Sequence, residues 1–302
     1  MGVSRIPLPE GGATFSRLAW GMGSLPMSTT VQDVDTLLGA LLDRGITTVD
    51  NAENYGGYTR EALLGKALAQ VPGRRRHLEL VTKCGCVGET PLYPEYRGYH
   101  YDTSRAHILA AADNALRCFG TDWIDVLLLH RPDPLMHADE VAEAFTRLRD
   151  AGKVRHFGVS NHLPSQTALL QSRLPFPLVA NEVQLSAMHV DPLFDGTLDD
   201  CQRTGCLPMA WGPLGRGALF DAANARAMRV RVELERVGWE LGGASVTQVA
   251  LAWLLRHPAR VVPILGTGIP HELEGVEAVE ALDMDRQQWY RILTAGTGES
   301  LP

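Results

Sequence analysis

A (β/α)₈ barrel is the fold this sequence predicts, on three observations. Eight short aliphatic or β-branched runs alternate with segments of helical periodicity along the chain, the pattern of a parallel sheet with helical crossovers. The length of 302 residues suits one barrel of ~250 residues with extra loops. The segment Gly21-Met22-Gly23-Ser24-Leu25-Pro26 lacks the third glycine of a dinucleotide fingerprint and meets a proline. That argues against an open doubly wound sheet.

After an N-terminal extension, 17–20 reads as the first strand. The apolar side chains Val34, Leu37, Leu38, Leu41 and Leu42 fall on one helical face over 34–44, and Gly45 ends that helix. The run Gly45-Ile46-Thr47-Thr48-Val49 leads a second strand to Asp50. A helix over 61–69 and a strand over 78–83 follow. The segment 84–103 is long, irregular and rich in aromatics, including Tyr93, Tyr96, Tyr99 and His100. Loops of that length in compact domains are usually functional or disordered, and aromatic density argues against disorder, so the reading is a flap over the active face. Helices are expected over 104–118, with Ser104 as N-cap, 139–151, 164–173, 192–203, 227–241, 246–256, 271–281 and 286–293. Strands are expected over 124–130, 153–159, 178–183, 206–211 and 260–264. No linker-like composition divides the chain, so 1–302 reads as one domain, closed by a short mobile tail over 294–302.

Composition is ordinary for a globular protein, 45% hydrophobic and 21% charged. The 28 basic and 35 acidic residues give −7, and no basic surplus exists to neutralise nucleic-acid phosphates. No apolar run reaches the ~20 residues of a membrane helix, and the N-terminus lacks a secretory apolar core. A cytoplasmic location is the expectation. The five cysteines, Cys84, Cys86, Cys118, Cys201 and Cys206, are odd in number in a long chain, which reads as reduced, packed thiols rather than a disulfide framework. A redox role for Cys84, beside Lys83, is the less favoured reading.

Three predicted strands run into proton-active residues. Asp50 ends the second, Lys83 the third and His130 the fourth, while Tyr55 lies in the loop after Asp50. The carboxyl ends of barrel strands are where such enzymes keep their chemistry. A tyrosine of ordinary pKa ~10 is a poor acid, but an adjacent ammonium favours its phenolate. Lys83 supplies that ammonium, Asp50 holds it charged, and Tyr55 becomes a general acid for a developing alkoxide. His130 donates to the same oxygen and orients a carbonyl. The set suits carbonyl reduction by hydride transfer. Each residue alone also fits a structural role as a turn cap, an ion-pair partner or a loop histidine; the weight lies in their joint placement.

Longer phrases carry a resemblance. They are Thr47-Thr48-Val49-Asp50 with Tyr55-Gly56-Gly57, Val81-Thr82-Lys83-Cys84-Gly85, Leu127-Leu128-Leu129-His130-Arg131-Pro132, Gly152-Lys153-Val154-Arg155-His156-Phe157-Gly158-Val159-Ser160-Asn161 and Ala210-Trp211-Gly212-Pro213-Leu214-Gly215-Arg216-Gly217. In these the chain resembles the aldo-keto reductases over about residues 15–295. The resemblance implies a (β/α)₈ barrel, a nicotinamide cofactor bound without a Rossmann domain, and a tetrad formed by Asp50, Tyr55, Lys83 and His130. It implies that Ser160 and Asn161, with Glu182, meet the nicotinamide carboxamide and that Trp211 stacks on the nicotinamide ring. It places Gly21 and Met22 beside the cofactor. Gly212, Pro213, Leu214, Gly215 and Arg216 are implied to cover the pyrophosphate, and Gly266, Thr267 and Gly268 to meet the adenosine phosphate. Trp20, with the flap residues Tyr93, Tyr96, Tyr99 and His100, is expected to shape the substrate pocket. The expected partner is a small carbonyl compound. A non-catalytic, nicotinamide-sensing regulatory subunit on the same barrel is the alternative, and a hydrolase or lyase pairing Asp50 with Glu53 is a third reading.

Two departures from the family pattern stand out. The family usually carries Asn-Gln at the end of strand six with a glutamate two residues later, whereas this chain reads Asn181-Glu182-Val183-Gln184. A carboxylate accepts but cannot donate, and its charge is expected to favour the cationic, oxidised nicotinamide. From Val261 to Asp285 the chain has no Lys or Arg and instead carries Glu272, Glu274, Glu277 and Glu280, with His271. Family members that prefer NADPH hold its 2′-phosphate with basic residues there. The resemblance still favours NADP(H), with NAD(H) as the alternative. If the charge of Glu182 matters, Glu182→Gln shifts the ratio of NADP⁺ to NADPH affinity, measurable by fluorescence titration; an unchanged ratio refutes it.

Overall fold

The computed structural model describes residues 2–299. Its centre is a closed barrel of eight parallel strands. In chain order these are β3 (Ala19–Gly21), β4 (Thr48–Asp50), β5 (Glu79–Cys84), β8 (Ile124–Leu129), β9 (Val154–Ser160), β10 (Leu178–Gln184), β11 (Leu207–Trp211) and β12 (Val262–Leu265). β12 pairs with β3 through Ile264–Ala19 and Leu265–Trp20 and closes the ring. The predicted barrel is therefore the observed fold, with the expected strand order.

The remaining strands lie outside the ring. β1 (Arg5–Pro7) and β2 (Thr14–Ser16) form an antiparallel hairpin within the N-terminal extension. The turn Pro9-Glu10-Gly11-Gly12, with both glycines at positive φ, permits it. Ser16 donates its N–H to Thr48 Oγ1 and accepts at its hydroxyl from the N–H groups of Thr47 and Thr48. Arg5 pairs with Glu79 at the start of β5. The hairpin thus caps the amino-terminal end of the barrel, and its Ile6 and Phe15 pack with the interior residues Val81, Val126, Leu128, Val179, Met209 and Val262. With that end plugged, the carboxyl-terminal mouth is where such a barrel keeps its chemistry.

Period-two alternation decides which polar residues face inward. In β5, Val81 and Lys83 share the inner face, while Thr82 and Cys84 face the helices: Thr82 donates to Glu61 of α2 and Cys84 packs in the outer core. The helices α1 (Val31–Asp43), α2 (Arg60–Gln70), α3 (Arg105–Phe119), α4 (Ala138–Asp150), α5 (Pro164–Gln171), α6 (Thr197–Thr204), α7 (Ala225–Glu240), α8 (Val246–Leu255) and α9 (Arg286–Thr297) complete the order. Ser104 caps α3 as expected by accepting from the His107 N–H. Among the described residues no helix is long and apolar enough to cross a membrane.

Three expected elements differ. The helix expected over 192–203 is a 3₁₀ turn at Asp191–Leu193 followed by α6, because Gly196 at φ 85° interrupts it. The helix expected over 271–281 is two 3₁₀ turns, Pro270–Leu273 and Val276–Ala281, separated by Gly275 at φ 72°. The last helix runs through Thr297, so 294–297 is helical rather than a loose tail; residues 300–302 lie outside the described residues. In the flap, β6 (Cys86–Val87) pairs antiparallel with β7 (His100–Tyr101).

Gly65 shows how closely the outer layer packs. A Cβ there would lie 1.9 Å from the Cys118 carbonyl oxygen of α3. Gly65→Ala is expected to force α2 from α3 and cost roughly 1–3 kcal/mol or more, read as a lower urea midpoint with an unchanged slope.

Candidate active site

The mouth is organised around one buried ammonium. Lys83 has a fully inaccessible side chain. Its Nζ lies 2.7 Å from both Asp50 Oδ1 and Oδ2, 2.9 Å from the Asn51 carbonyl oxygen and 3.2 Å from Tyr55 Oη. The register sets Asp50 opposite Val81, the residue two before Lys83 on the same inner face of β5. Tyr55 comes from the loop after β4, held by its N–H donating to the Ala52 carbonyl. Its ring packs against Gly23, where a Cβ would come within 3.0 Å of it. His130 follows β8 and meets Tyr55 edge to face at 5.6 Å between centroids. All four residues of the expected tetrad therefore meet in one place.

Their electrostatics differ from the sequence expectation. Burial raises the Tyr55 phenol above its ordinary value; the Lys83 ammonium opposes this, while Asp50 and Glu182 add to it. Lys83 does not turn Tyr55 into an acid near neutral pH, because desolvation wins. Burial alone would lower Lys83, yet Asp50 and Glu182 hold its ammonium above the ordinary lysine value. His130 is pushed well below its usual value by burial and by Lys83 and Arg131. It is a neutral imidazole, a hydrogen-bond donor rather than a proton source, and its Nδ1 is buried without a partner.

The expected cofactor side forms a second cluster. Ser160 donates to the Glu182 carbonyl, Asn161 Nδ2 donates to Ser160 Oγ at 2.7 Å, and Trp211 Nε1 donates to Asn161 Oδ1 at 3.1 Å. The indole plane is thus tied to the end of β9. Asn161 sits at φ 57°, a conformation asparagine tolerates better than most residues. Past Pro213, Gly215, Arg216 and Gly217 also have positive φ, as does Gly212 before it. Such runs form concave sets of N–H groups that suit anions. The guanidinium groups of Arg131 and Arg216 lie 5.5 and 6.0 Å from the Trp211 ring. At Gly21 a Cβ would strike Ile264 at 2.7 Å, so the barrel wall there requires glycine. These features fit a dinucleotide with a flat ring at Trp211 and phosphates beside 212–217.

Other expectations are corrected. Trp20 is completely buried in the core, and its indole donates to the Thr267 carbonyl at 2.8 Å. It pins the loop after β12 instead of lining a pocket. Met22 is buried too, its sulfur accepting from Asn51 Nδ2. Tyr93 and Tyr96 gather around Tyr58, at 5.1 and 6.2 Å, and His100 meets Tyr96 at 6.4 Å. Their ring partners are Tyr58 and one another; Tyr99 is 65% exposed. Glu182 points at Lys83, with Oε2 3.0 Å from Nζ, so the carboxyl expected to meet a carboxamide instead joins the tetrad. Thr267 Oγ1 donates to Glu272 and accepts from the Ile269 N–H. The cysteines are free, and burial raises the Cys84 thiol well above its usual value, which disfavours a reactive thiolate there.

Asn51, whose carbonyl accepts from Lys83, carried no sequence signal, and Glu53, expected to pair with Asp50 only in the hydrolase or lyase reading, instead accepts at Oε1 from the Gly85 N–H at 2.7 Å and meets His107 Nε2 at 3.2 Å. Glu53 anchors the base of the flap. Its place directly before Asn54-Tyr55, beside a strand end, was the available signal. Arg60 was missed as well; it holds the loop after β3 by donating to the Leu25 and Pro26 carbonyls.

A closed parallel barrel with a buried Tyr–Lys–Asp contact at its carboxyl end defines a class of barrel oxidoreductase. The aldo/keto reductase family model matches residues 17–295, and the chain belongs to that family. It is 45% identical to the uncharacterized oxidoreductase YcsN of Bacillus subtilis and to the oxidoreductase YdhF of Escherichia coli, each over 99% of this chain and 100% of that protein. It is 41% identical to a 6-dehydroglucose reductase of Agrobacterium fabrum, over 95% of this chain and 96% of that one. Among solved structures, the glycerol dehydrogenase AKR11B4 of Gluconobacter oxydans superposes with a TM-score of 0.83 at 25% identity, over 100% of this chain and 98% of that one. The thermostable aldo-keto reductase Tm1743 gives 0.81 at 27%, over 97% and 100%.

Glu61, on α2 behind the site, provides a stability test. Burial pushes its carboxyl to about 8; the Thr82 hydroxyl opposes this and Glu53 adds to it. The folded protein therefore holds a proton that the unfolded chain releases above its ordinary value, so stability falls as pH rises from about 5 to 8. Glu61→Gln is expected to flatten that fall, measured as the difference in urea midpoint between the two pH values.

Proposed function

We propose that the protein reduces an aldehyde or ketone to the alcohol, using hydride from a nicotinamide dinucleotide and a proton from Tyr55. The observation that carries this reading is the contact of Tyr55 Oη with Lys83 Nζ at 3.2 Å, with the His130 ring 5.6 Å from that of Tyr55. When bound, the dinucleotide supplies the hydride. The protein's own residues do the rest. His130 donates a hydrogen bond to the carbonyl oxygen and orients it. Tyr55, a weak acid at rest, becomes competent as negative charge develops on that oxygen, because an alkoxide is a far stronger base than a carbonyl. Lys83 stabilises the phenolate left behind, and Asp50 keeps Lys83 charged. Trp211, fixed by Asn161, would offer a flat face to the nicotinamide, and Ser160 and Asn161 would meet its carboxamide. The backbone of 212–217 and Arg216 would hold the pyrophosphate.

The residues after β12 favour NAD(H), or weak discrimination, over the NADP(H) preference implied by the family. Glu272 bonds Thr267 in the place where a 2′-phosphate would need cations. Arg44, the basic side chain that reaches these turns from α1, is occupied by the Leu273 and Ala40 carbonyls and by Glu277. A ratio of kcat/KM for NADPH over NADH near or below one is expected; a strong NADPH preference refutes it.

The likeness to a 6-dehydroglucose reductase makes 6-dehydroglucose the first substrate to test, followed by a panel of aldehydes and ketones. Absorbance-monitored cofactor oxidation is expected with the wild type. Tyr55→Phe is expected to lose on the order of 10²–10⁴ in kcat while still binding the dinucleotide. Cofactor binding without turnover in the wild type would instead indicate a regulatory, nicotinamide-sensing protein.

A further inference from the structure

More oxygens crowd Lys83 than it has protons to share. An ammonium has three donors. Five oxygens surround Nζ: both of Asp50 at 2.7 Å, Asn51 O at 2.9 Å, Glu182 Oε2 at 3.0 Å and Tyr55 Oη at 3.2 Å. Glu182 Oε2 is near Nζ yet receives no aligned hydrogen bond from any group. Glu182 and Asp50 are both buried, and both reach within 3.0 Å of this one ammonium.

The charges agree with the hydrogen count. The ionisable groups facing this point are Asp50 on β4, Tyr55 after β4, Lys83 on β5, His130 after β8 and Glu182 on β10. Arg131 acts on His130 but makes no contact with either carboxyl among the described residues. β9 contributes the uncharged Ser160. With both carboxyls ionised, one ammonium faces two negative charges in a site closed to water, and an uncompensated buried ion costs several kcal/mol.

We propose that Glu182 is held as the carboxylic acid in the resting protein and supplies, through Lys83, the proton that restores Tyr55 after each reduction. The inference rests on the carbonyl-reduction reading and adds the origin of the proton. Tyr55 gives its proton to the alkoxide and becomes phenolate. Lys83 passes one proton to the phenolate oxygen and is reprotonated from the carboxyl pair, so the net change is Glu182 acid plus Tyr55 phenolate to Glu182 carboxylate plus Tyr55 phenol. No electron moves in this step. Glu182 recovers a proton from solvent when the mouth opens. The order of proton affinities supports the direction of transfer. Burial, with Asp50 adding and Lys83 opposing, brings Glu182 to about 8, whereas burial raises Tyr55 further above that. Glu182 acts through Lys83, so it is a positioning residue rather than a catalytic one. As a neutral acid it also leaves the nicotinamide without the negative charge expected from sequence.

The test compares the full-length wild type with Glu182→Gln and Glu182→Asp by two measurements. The first is the infrared band of protonated carboxyl groups in the free protein across pH. Glu61 contributes its own band, so the informative quantity is wild type minus variant. That difference is expected to show one protonated carboxyl at neutral pH that is lost near 8. The second is the pH profile of kcat with NADH or NADPH and 6-dehydroglucose or the best aldehyde found. In the wild type kcat is expected to fall above about pH 8. In Glu182→Gln that limb disappears, kcat at neutral pH drops about tenfold, and KM stays within about twofold. Glu182→Asp restores part of the limb. A blank infrared difference, or an alkaline limb unmoved in Glu182→Gln while Tyr55→Phe is inactive, would overturn this inference and leave carbonyl reduction standing. A wild type that turns over no nicotinamide cofactor would overturn both.

Discussion

A lysine ammonium sealed from water at the mouth of a barrel is the constraint on which the rest of this structure depends. Nothing in an apolar barrel interior stabilises such a charge, so the surrounding strands must. β4 brings Asp50, β10 brings Glu182, and the loop after β4 brings Tyr55 and the Asn51 carbonyl. The parallel strands gather these residues at one end of the barrel. One positive charge then sets the properties of every titratable neighbour. It keeps Asp50 paired, drives His130 towards the neutral form and partly offsets the burial of Tyr55.

The two ends of the barrel divide the work. At the amino-terminal end the hairpin Arg5–Ser16 closes the interior with Ile6 and Phe15 and ties itself to β4 and β5 through Ser16 and Arg5. Those contacts are apolar or locally satisfied and serve stability. At the other end the loops carry the chemistry, each fixed by a residue outside the tetrad. Arg60 holds the loop after β3, Glu53 holds the root of the flap, and Trp20 holds the loop after β12. These supports let irregular backbone stand beside a site that demands fixed distances.

Much of this was legible from residue order. Aliphatic runs bounded by glycine and proline marked the eight barrel strands, since period and punctuation are local properties. Asp50, Lys83 and His130 were legible because each ends such a run. The elements that escaped are those in which a distant contact overrides local preference. The hairpin needs the barrel floor to pack against. The segments 192–203 and 271–281 have helical composition, but Gly196 and Gly275 at positive φ divide them. Trp20 reads as a pocket aromatic until β12 is seen to pair with β3, which buries it. Tyr93 and Tyr96 of the flap gather on Tyr58, whereas Tyr99 meets Tyr101.

By itself the sequence determined the barrel, the three proton-active residues at its strand ends with Tyr55 in the loop after the second, and the exchange of acid and amide in Asn181-Glu182-Val183-Gln184. These follow from which residues are present and from their spacing. Only the tertiary structure decided what Glu182 touches and how tightly Tyr55 holds its proton. Both depend on burial and on separations of a few ångströms between strands far apart in the chain. Desolvation and Coulomb energies take their size from that assembled geometry.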